Sequence, residues 1–257
     1  MDEQSQSQIV APMNPVELPK AVDLFKHAWV IFKSKVKTFL FIQIVPFLVA
    51  IPIGLIGGYF DKRTADVDFT SGAAITPEQW TAMLVMVLAV LAGLVIQTWA
   101  QIATIIAIRD RESDISPKEA FRQAIGMIFA YWWVYFLVML AVIGGFILLI
   151  VPGIIFGIWY SFTGYTLVME GKKGTEALAA SKAYVKGRTG QVVYKFLFIG
   201  LITIAVFGIP SVILEAMKLE ALGAAYTSLA ALIMYPVGAI YQYLIYDYLK
   251  KSKSNVV

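Results

Sequence analysis

The chain has 257 residues, 59% of them hydrophobic and 15% charged, with a net charge of +4. A soluble domain carries roughly 45–50% apolar and about 25% charged residues, so this composition argues against a soluble enzyme and for a chain solvated mostly by lipid. With no cysteine and one histidine, His27, disulfides and cysteine-ligated metals are excluded, histidine-ligated zinc lacks its other ligands, and no cofactor is expected.

Residues 1–15 are polar and contain proline. They are expected to form a disordered cytoplasmic tail rather than a cleavable signal peptide, which would need an apolar centre. Residues 16–257 are expected to form one membrane domain. A spanning helix needs about 20 apolar residues, so the gaps between charges locate the spans. The charge-free stretches are 38–60, 79–108, 123–169, 196–214 and 221–246. The third is too long for one crossing and folds back at Gly144-Gly145 and Pro152-Gly153, where turn residues cluster. This predicts six helices, near 38–60, 80–108, 124–149, 153–170, 191–215 and 222–248. The stretches do not alternate apolar and polar residues, as barrel strands would. Pro152 and Pro210 fall near predicted helix ends, and Pro236 is the strongest kink candidate.

Of the 21 lysines and arginines, 18 fall in the segments on one side of such a six-span chain and three on the other. Basic residues in short loops mark the cytoplasmic face. Both termini are therefore expected in the cytoplasm, with the chain a multi-pass protein of the cell membrane.

Three segments on the basic side resemble one another. Asp23, Glu119 and Glu176 align, as do Ala28, Ala124 and Ser181, and then Ile31, Met127 and Tyr184. Each begins with an acidic residue, continues as an amphipathic helix (near 20–35, 116–128 and 175–187) and leads into a hairpin. The fold class read from this is all-α: six transmembrane helices with three cytoplasmic amphipathic helices and a threefold internal repeat. Ser116 is expected to cap the second of these helices, with Pro117 at its first position and Glu119 closing a capping box. Lysines beside the apolar stripe snorkel toward headgroups. Lys182, Lys186 and Arg188 are the candidate contacts to anionic lipid, the partner this surface suggests. The basic segment 172–195 carries no nucleic-acid reader motif, so no nucleic-acid partner is expected.

Ionisable residues within the spans are scarce. Glu170 and Asp247 lie at helix ends beside lysines and read as interfacial salt-bridge partners. His27 reads as an interfacial polar residue. The polar residues within the spans are Gln43, Gln97, Gln101, Thr104, Ser161, Thr163, Thr203 and Gln242. Gln97 and Gln101 share a helix face, being four apart. With Gln242 they form the candidate polar cluster, expected to face the bundle interior. Its two readings are interhelical glue, worth roughly 0.6–2 kcal/mol per bond, and the lining of a solute path. Glue would bond the glutamines to Gln242 or Tyr243.

The stretch Val151-Pro152-Gly153-Ile154, then Trp159, Glu170, Ala177, Ser181 and Lys186-Gly187 resembles the multi-pass membrane domain attached to some bacterial glycerophosphodiester phosphodiesterases. Gly164-Tyr165 stands where many such domains have a proline. In that family the active site belongs to a separate soluble barrel, which this chain has no room for. The resemblance therefore implies a membrane domain without enzymatic activity. The expected function is that of a non-enzymatic membrane protein that organises the membrane or binds lipids or partners. The alternative is a transporter or channel for a small solute.

Overall fold

The computed structural model describes residues 18–64, 76–113 and 115–254, so the tail expected at 1–15 lies outside the described residues. The chain is helical, with no strand among the described residues. Inside hydrocarbon every backbone N–H and C=O must be satisfied within its own segment, and helices do this. In chain order the helices are α1 (Ala21–Ser34), α2 (Val36–Thr64), α3 (Pro77–Arg109), α4 (Pro117–Ile125), α5 (Ile128–Leu148), α6 (Ile150–Trp159), α7 (Thr163–Glu170), α8 (Gly174–Val185), α9 (Thr189–Thr203), α10 (Ile209–Ala216) and α11 (Glu220–Ser254). A π-helical turn, Ile204–Gly208, joins α9 to α10.

Six segments are long and apolar enough to cross a membrane: α2, α3, α5, α6–α7, α9–α10 and α11. The chain is an integral membrane protein of the multi-pass, all-α class. Its six segments pair into three hairpins. The middle hairpin uses 21 residues per leg against 28 to 33 in the other two, about 31 Å against about 42–50 Å at 1.5 Å per residue.

Several sequence expectations need correction at the local level. The third span starts at Ile128, because Gly126-Met127 separates it from α4. The fourth starts at Ile150 and is interrupted at Tyr160–Phe162. Ser116 accepts a hydrogen bond from the Glu119 N–H at 3.3 Å. The Glu119 carboxylate, however, accepts from Arg122 and Gln123 at 3.0 and 3.1 Å, so the cap is one-sided. A reciprocal capping box forms instead at Thr76 and Gln79, opening α3. Pro210 lies in the first turn of α10, just after the π turn and within the fifth span. A proline cannot donate to the carbonyl four residues back, here that of Val206, and the Tyr226 hydroxyl of α11 donates to that carbonyl at 2.6 Å. α11 continues through Pro236.

The three short helices follow a common pattern of packing. α4 lies against α3, α8 against α7 and α5, and α1 against α11. The aligned residues Ala28, Ala124 and Ser181 are each fully buried, as are Leu24, Ala120 and Ala177 one turn earlier. These faces of the three helices thus meet the bundle. Small residues at these positions let the helices approach closely.

Burial is unequal along the spans. The end bearing α1, α4 and α8, here called the basic end, holds nearly all the large enclosed side chains, among them Phe39, Ile102, Ile106, Phe162, Ile240, Tyr241 and Tyr246. Toward the far end few large side chains are enclosed. Leu84, Leu88, Leu201, Val212 and Leu229 are 56–66% exposed, as expected for side chains that meet lipid.

Candidate functional site

Between the three hairpins lies a cavity of about 880 Å³, bounded by α2, α3, α5, α7, α9, the π turn and α11. It falls within the roughly 300–1,000 Å³ of typical ligand sites. Seven of the eight polar residues singled out in the spans line it. α2 supplies Gln43, and α3 supplies Gln97, Gln101 and Thr104. Ser161 comes from the α6–α7 break, Thr203 from α9 and Gln242 from α11. The eighth, Thr163, is fully buried outside it and donates to the Tyr160 carbonyl at 2.6 Å.

The cavity is deepest toward the basic end. There Gln43 donates to Thr104 at 3.1 Å, and Thr104 donates to the Ala100 carbonyl at 2.8 Å. Neither the Gln97, the Gln101 nor the Gln242 amide makes a hydrogen bond among the described residues. They face a common space but are not bonded to one another. Tyr243, the other expected partner, accepts from Arg111 at 3.0 Å instead.

Tyrosines complete the lining, and their direction is not evident from sequence. Tyr131 and Tyr135 stand on α5 with ring centroids 4.6 Å apart. The Tyr131 hydroxyl is buried, with no hydrogen-bond partner among the described residues. Tyr165 on α7 donates to the Ala239 carbonyl at 2.8 Å. Gly164 makes room for the pair: a Cβ there would lie 2.9 Å from the Tyr135 hydroxyl. Tyr235 lines the opposite side. None of the lining residues is Asp, Glu, Lys, Arg or His.

Below the cavity floor a polar layer ties the basic ends together. The Glu170 carboxylate, 10% exposed, accepts from Tyr246 at 2.5 Å, from Tyr184 at 3.0 Å and from Lys172 at 2.8 Å, with Lys250 at 3.6 Å. It therefore joins the end of α7 to α8 and α11. The bond to Glu170 raises the Lys172 ammonium pKa above its usual value. Burial, and then the same carboxylate, raise that of the Tyr184 phenol. Arg109 forks onto Asp110 at 2.7 and 2.9 Å and reaches Gln123 on α4 and the Val168 carbonyl on α7. Asp247 pairs with Lys251 at 2.7 Å.

Of the candidate headgroup contacts, the Lys182 ammonium sits 4.7 Å from the Trp159 ring centre, Lys186 is exposed, and Arg188 is half-buried at the start of α9. His27 is exposed on α1. Lys195, counted among the basic-side charges, stands in α9 and is only 4% exposed. No three His, Asp or Glu side chains come together as a metal site among the described residues. No family model, curated protein or solved structure matches the chain.

Proposed function

We propose that the chain is a non-enzymatic membrane protein whose central cavity binds an uncharged, hydrogen-bonding ligand. The observation that carries this reading is the convergence of Gln97, Gln101 and Gln242, with their amides unbonded, on one cavity. Interhelical glue would pair such groups with each other, because an unpaired amide in hydrocarbon costs several kcal/mol. Groups held apart around a space are suited to a guest that supplies the missing bonds. The buried Tyr131 hydroxyl supports the same reading.

In this proposal the basic end faces the cytoplasm of the cell membrane, as the 18-to-3 division of Lys and Arg favours. α1, α4 and α8 are the cytoplasmic helices of a threefold repeat, and Lys182, Lys186 and Arg188 meet anionic headgroups there. The likeness of residues 149–187 to the phosphodiesterase-associated membrane domains fits a non-catalytic role. A second reading, carriage of a small solute, is favoured by the number of polar groups in the cavity. The enclosed layer at the basic end, including Ile102, Ile106 and Tyr246, favours a carrier over an open channel.

The test exploits a chain without cysteine. Gln101→Cys in lipid nanodiscs is expected to react with methyl methanethiosulfonate, a small neutral reagent. Gly200 and Gly238 both line the cavity, and a Cβ at either meets no atom within 4 Å. Adding Gly200→Trp and Gly238→Trp should fill the space and suppress the reaction while the melting midpoint holds. Equal reactivity with and without the tryptophans overturns the reading. For carriage, erythritol uptake into liposomes should fall to the protein-free rate in the filled variant.

A further inference from the structure

We infer that the ligand of the cavity is a neutral amphiphile: one long alkyl chain ending in a hydroxylated, uncharged head. This rests on the cavity being a ligand site and names the class of ligand.

The first observation is a gradient of exposure. Around the floor, Gln43, Thr104, Tyr131 and Tyr165 are 2–6% exposed. Around the mouth, Ile204 and Tyr235 are 59% and 61% exposed. The cavity therefore opens away from the basic end. Ile204 stands 15 residues into the span that begins at Thr189, about 22 Å along the helix. In a hydrocarbon layer about 30 Å thick the mouth lies among acyl chains. A guest reaches it from lipid.

The second observation is the division of the walls. Phe196, Ile199, Ile204, Phe207 and Met234 form an apolar side on α9, the π turn and α11. The unbonded amides of Gln101 on α3 and Gln242 on α11 and the Tyr131 hydroxyl on α5 lie nearer the basic end than Ile204, Phe207 and Met234 do. A guest with one polar end and one apolar body satisfies both, with its head at the floor and its chain toward the mouth.

The third is the absence of any ionisable side chain other than tyrosine from the lining. A charged head would sit at hydrocarbon depth without a counter-charge, which is costly. A hydroxyl or carbonyl head carries no such cost, and amides and phenols both donate to and accept from it.

The experiment measures protection of Gln101→Cys from methyl methanethiosulfonate in phosphatidylcholine nanodiscs, with oleyl alcohol, oleyl phosphate or 1-butanol added. Oleyl alcohol, added at about ten times its Kd, should slow the reaction about tenfold. Oleyl phosphate, which differs by one phosphate, and 1-butanol, which lacks the chain, should leave the rate within about twofold. Leu201→Cys, on the lipid-facing surface at 66% exposure, should not be protected by any of the three. Equal protection by oleyl phosphate, protection by 1-butanol alone, equal slowing at Leu201→Cys, or no protection by oleyl alcohol each overturns the inference and leaves the cavity reading standing. If Gln101→Cys does not fold, Gln97→Cys at the same cavity replaces it. Cysteines that never react in a folded protein remove the cavity reading itself, and the inference with it.

Discussion

The two ends of the bundle are built on different principles. At the basic end, helices from all three hairpins and the three short helices enclose Ile102, Ile106, Ile240, Tyr241 and Tyr246 completely, and Glu170 and Arg109 bond across element boundaries. At the far end the spans carry equally apolar residues, yet Leu84, Leu201 and Val212 remain exposed. Hydrophobicity does not explain the difference, since lipid is as good a solvent for leucine as another helix is. Close approach and polar bonds explain it. The basic end has Ala28, Ala120, Ala124, Ala177 and Ser181 at its contacts, where small side chains let helices touch. The space between the two regimes is the cavity.

The largest effect expected from this contrast comes from truncation at the two ends. Ile106 is fully buried, and Ile106→Ala should cost about 2–5 kcal/mol through the cavity it leaves. Leu201→Ala should change stability by about 1 kcal/mol or less, because lipid refills the position. Unfolding in mixed micelles would measure both, and equal costs would break the comparison.

Glu170→Ala should follow, at about 2–3 kcal/mol. It leaves Tyr246 and Tyr184 without their acceptor and frees the end of α7 from α8 and α11. Tyr184→Phe removes one donor only and should cost about 1 kcal/mol. If the double variant costs the sum of the two, Glu170 does not act through Tyr184.

The middle hairpin is an exception that sharpens the rule. It stays closed in the far half because Gly145 meets Gly153: a Cβ on Gly145 would lie 2.9 Å from the Gly153 Cα. Its neighbour Gly144 has nothing within 4 Å. Gly145→Ala should therefore destabilise by about 1–3 kcal/mol by overpacking. Gly144→Ala should be neutral, or stabilising by up to about 1 kcal/mol through helix propensity. Thermal midpoints of the two variants, one residue apart, should move in opposite directions or differ clearly in size.

The span count was legible in the sequence, because a charge inside hydrocarbon is costly and the gaps between charges are therefore long. The same cost made Gln97, Gln101 and Gln242 legible as inward-facing: each is polar in a place that disfavours polarity. Tyrosines carry no such signal. Tyr131, Tyr135, Tyr165 and Tyr235 suit an interface, a core or a cavity equally, since one end of each is apolar and the other polar. The breaks at Tyr160–Phe162 and Ile204–Gly208 were not legible either. They depend on partners distant in sequence, such as Tyr226 for the carbonyl that Pro210 leaves open. The Glu170 layer was read only in part: the lysines beside it were visible, but the two tyrosines that complete it come from α8 and α11.

The smallest expected effect concerns acid, and it tests whether the bonds at the basic end act as charges. Arg109 donates two hydrogen bonds to Asp110, and that bonding holds the Asp110 carboxyl below its usual range. In the unfolded chain an aspartate titrates near 3.9. Because the folded value is depressed, the contribution is fully present above the unfolded value and is lost as pH falls through the folded one. The side chain is 25% exposed, so solvent screening keeps the contribution to about 1 kcal/mol or less. Asp110→Asn should therefore lower the melting midpoint slightly at pH 7. The gap from wild type should then begin to narrow as pH drops below about 4 and close only below the folded value, where the wild-type carboxyl is protonated in both states. The comparison with Asp110→Asn isolates this pair from Glu119, which Arg122 and Gln123 shift in the same direction. A gap that stays constant down to pH values where both forms are neutral would mean that Asp110 acts only as the hydrogen-bonding end of α3. Arg109 would then hold α4 and α7 through Gln123 and the Val168 carbonyl alone.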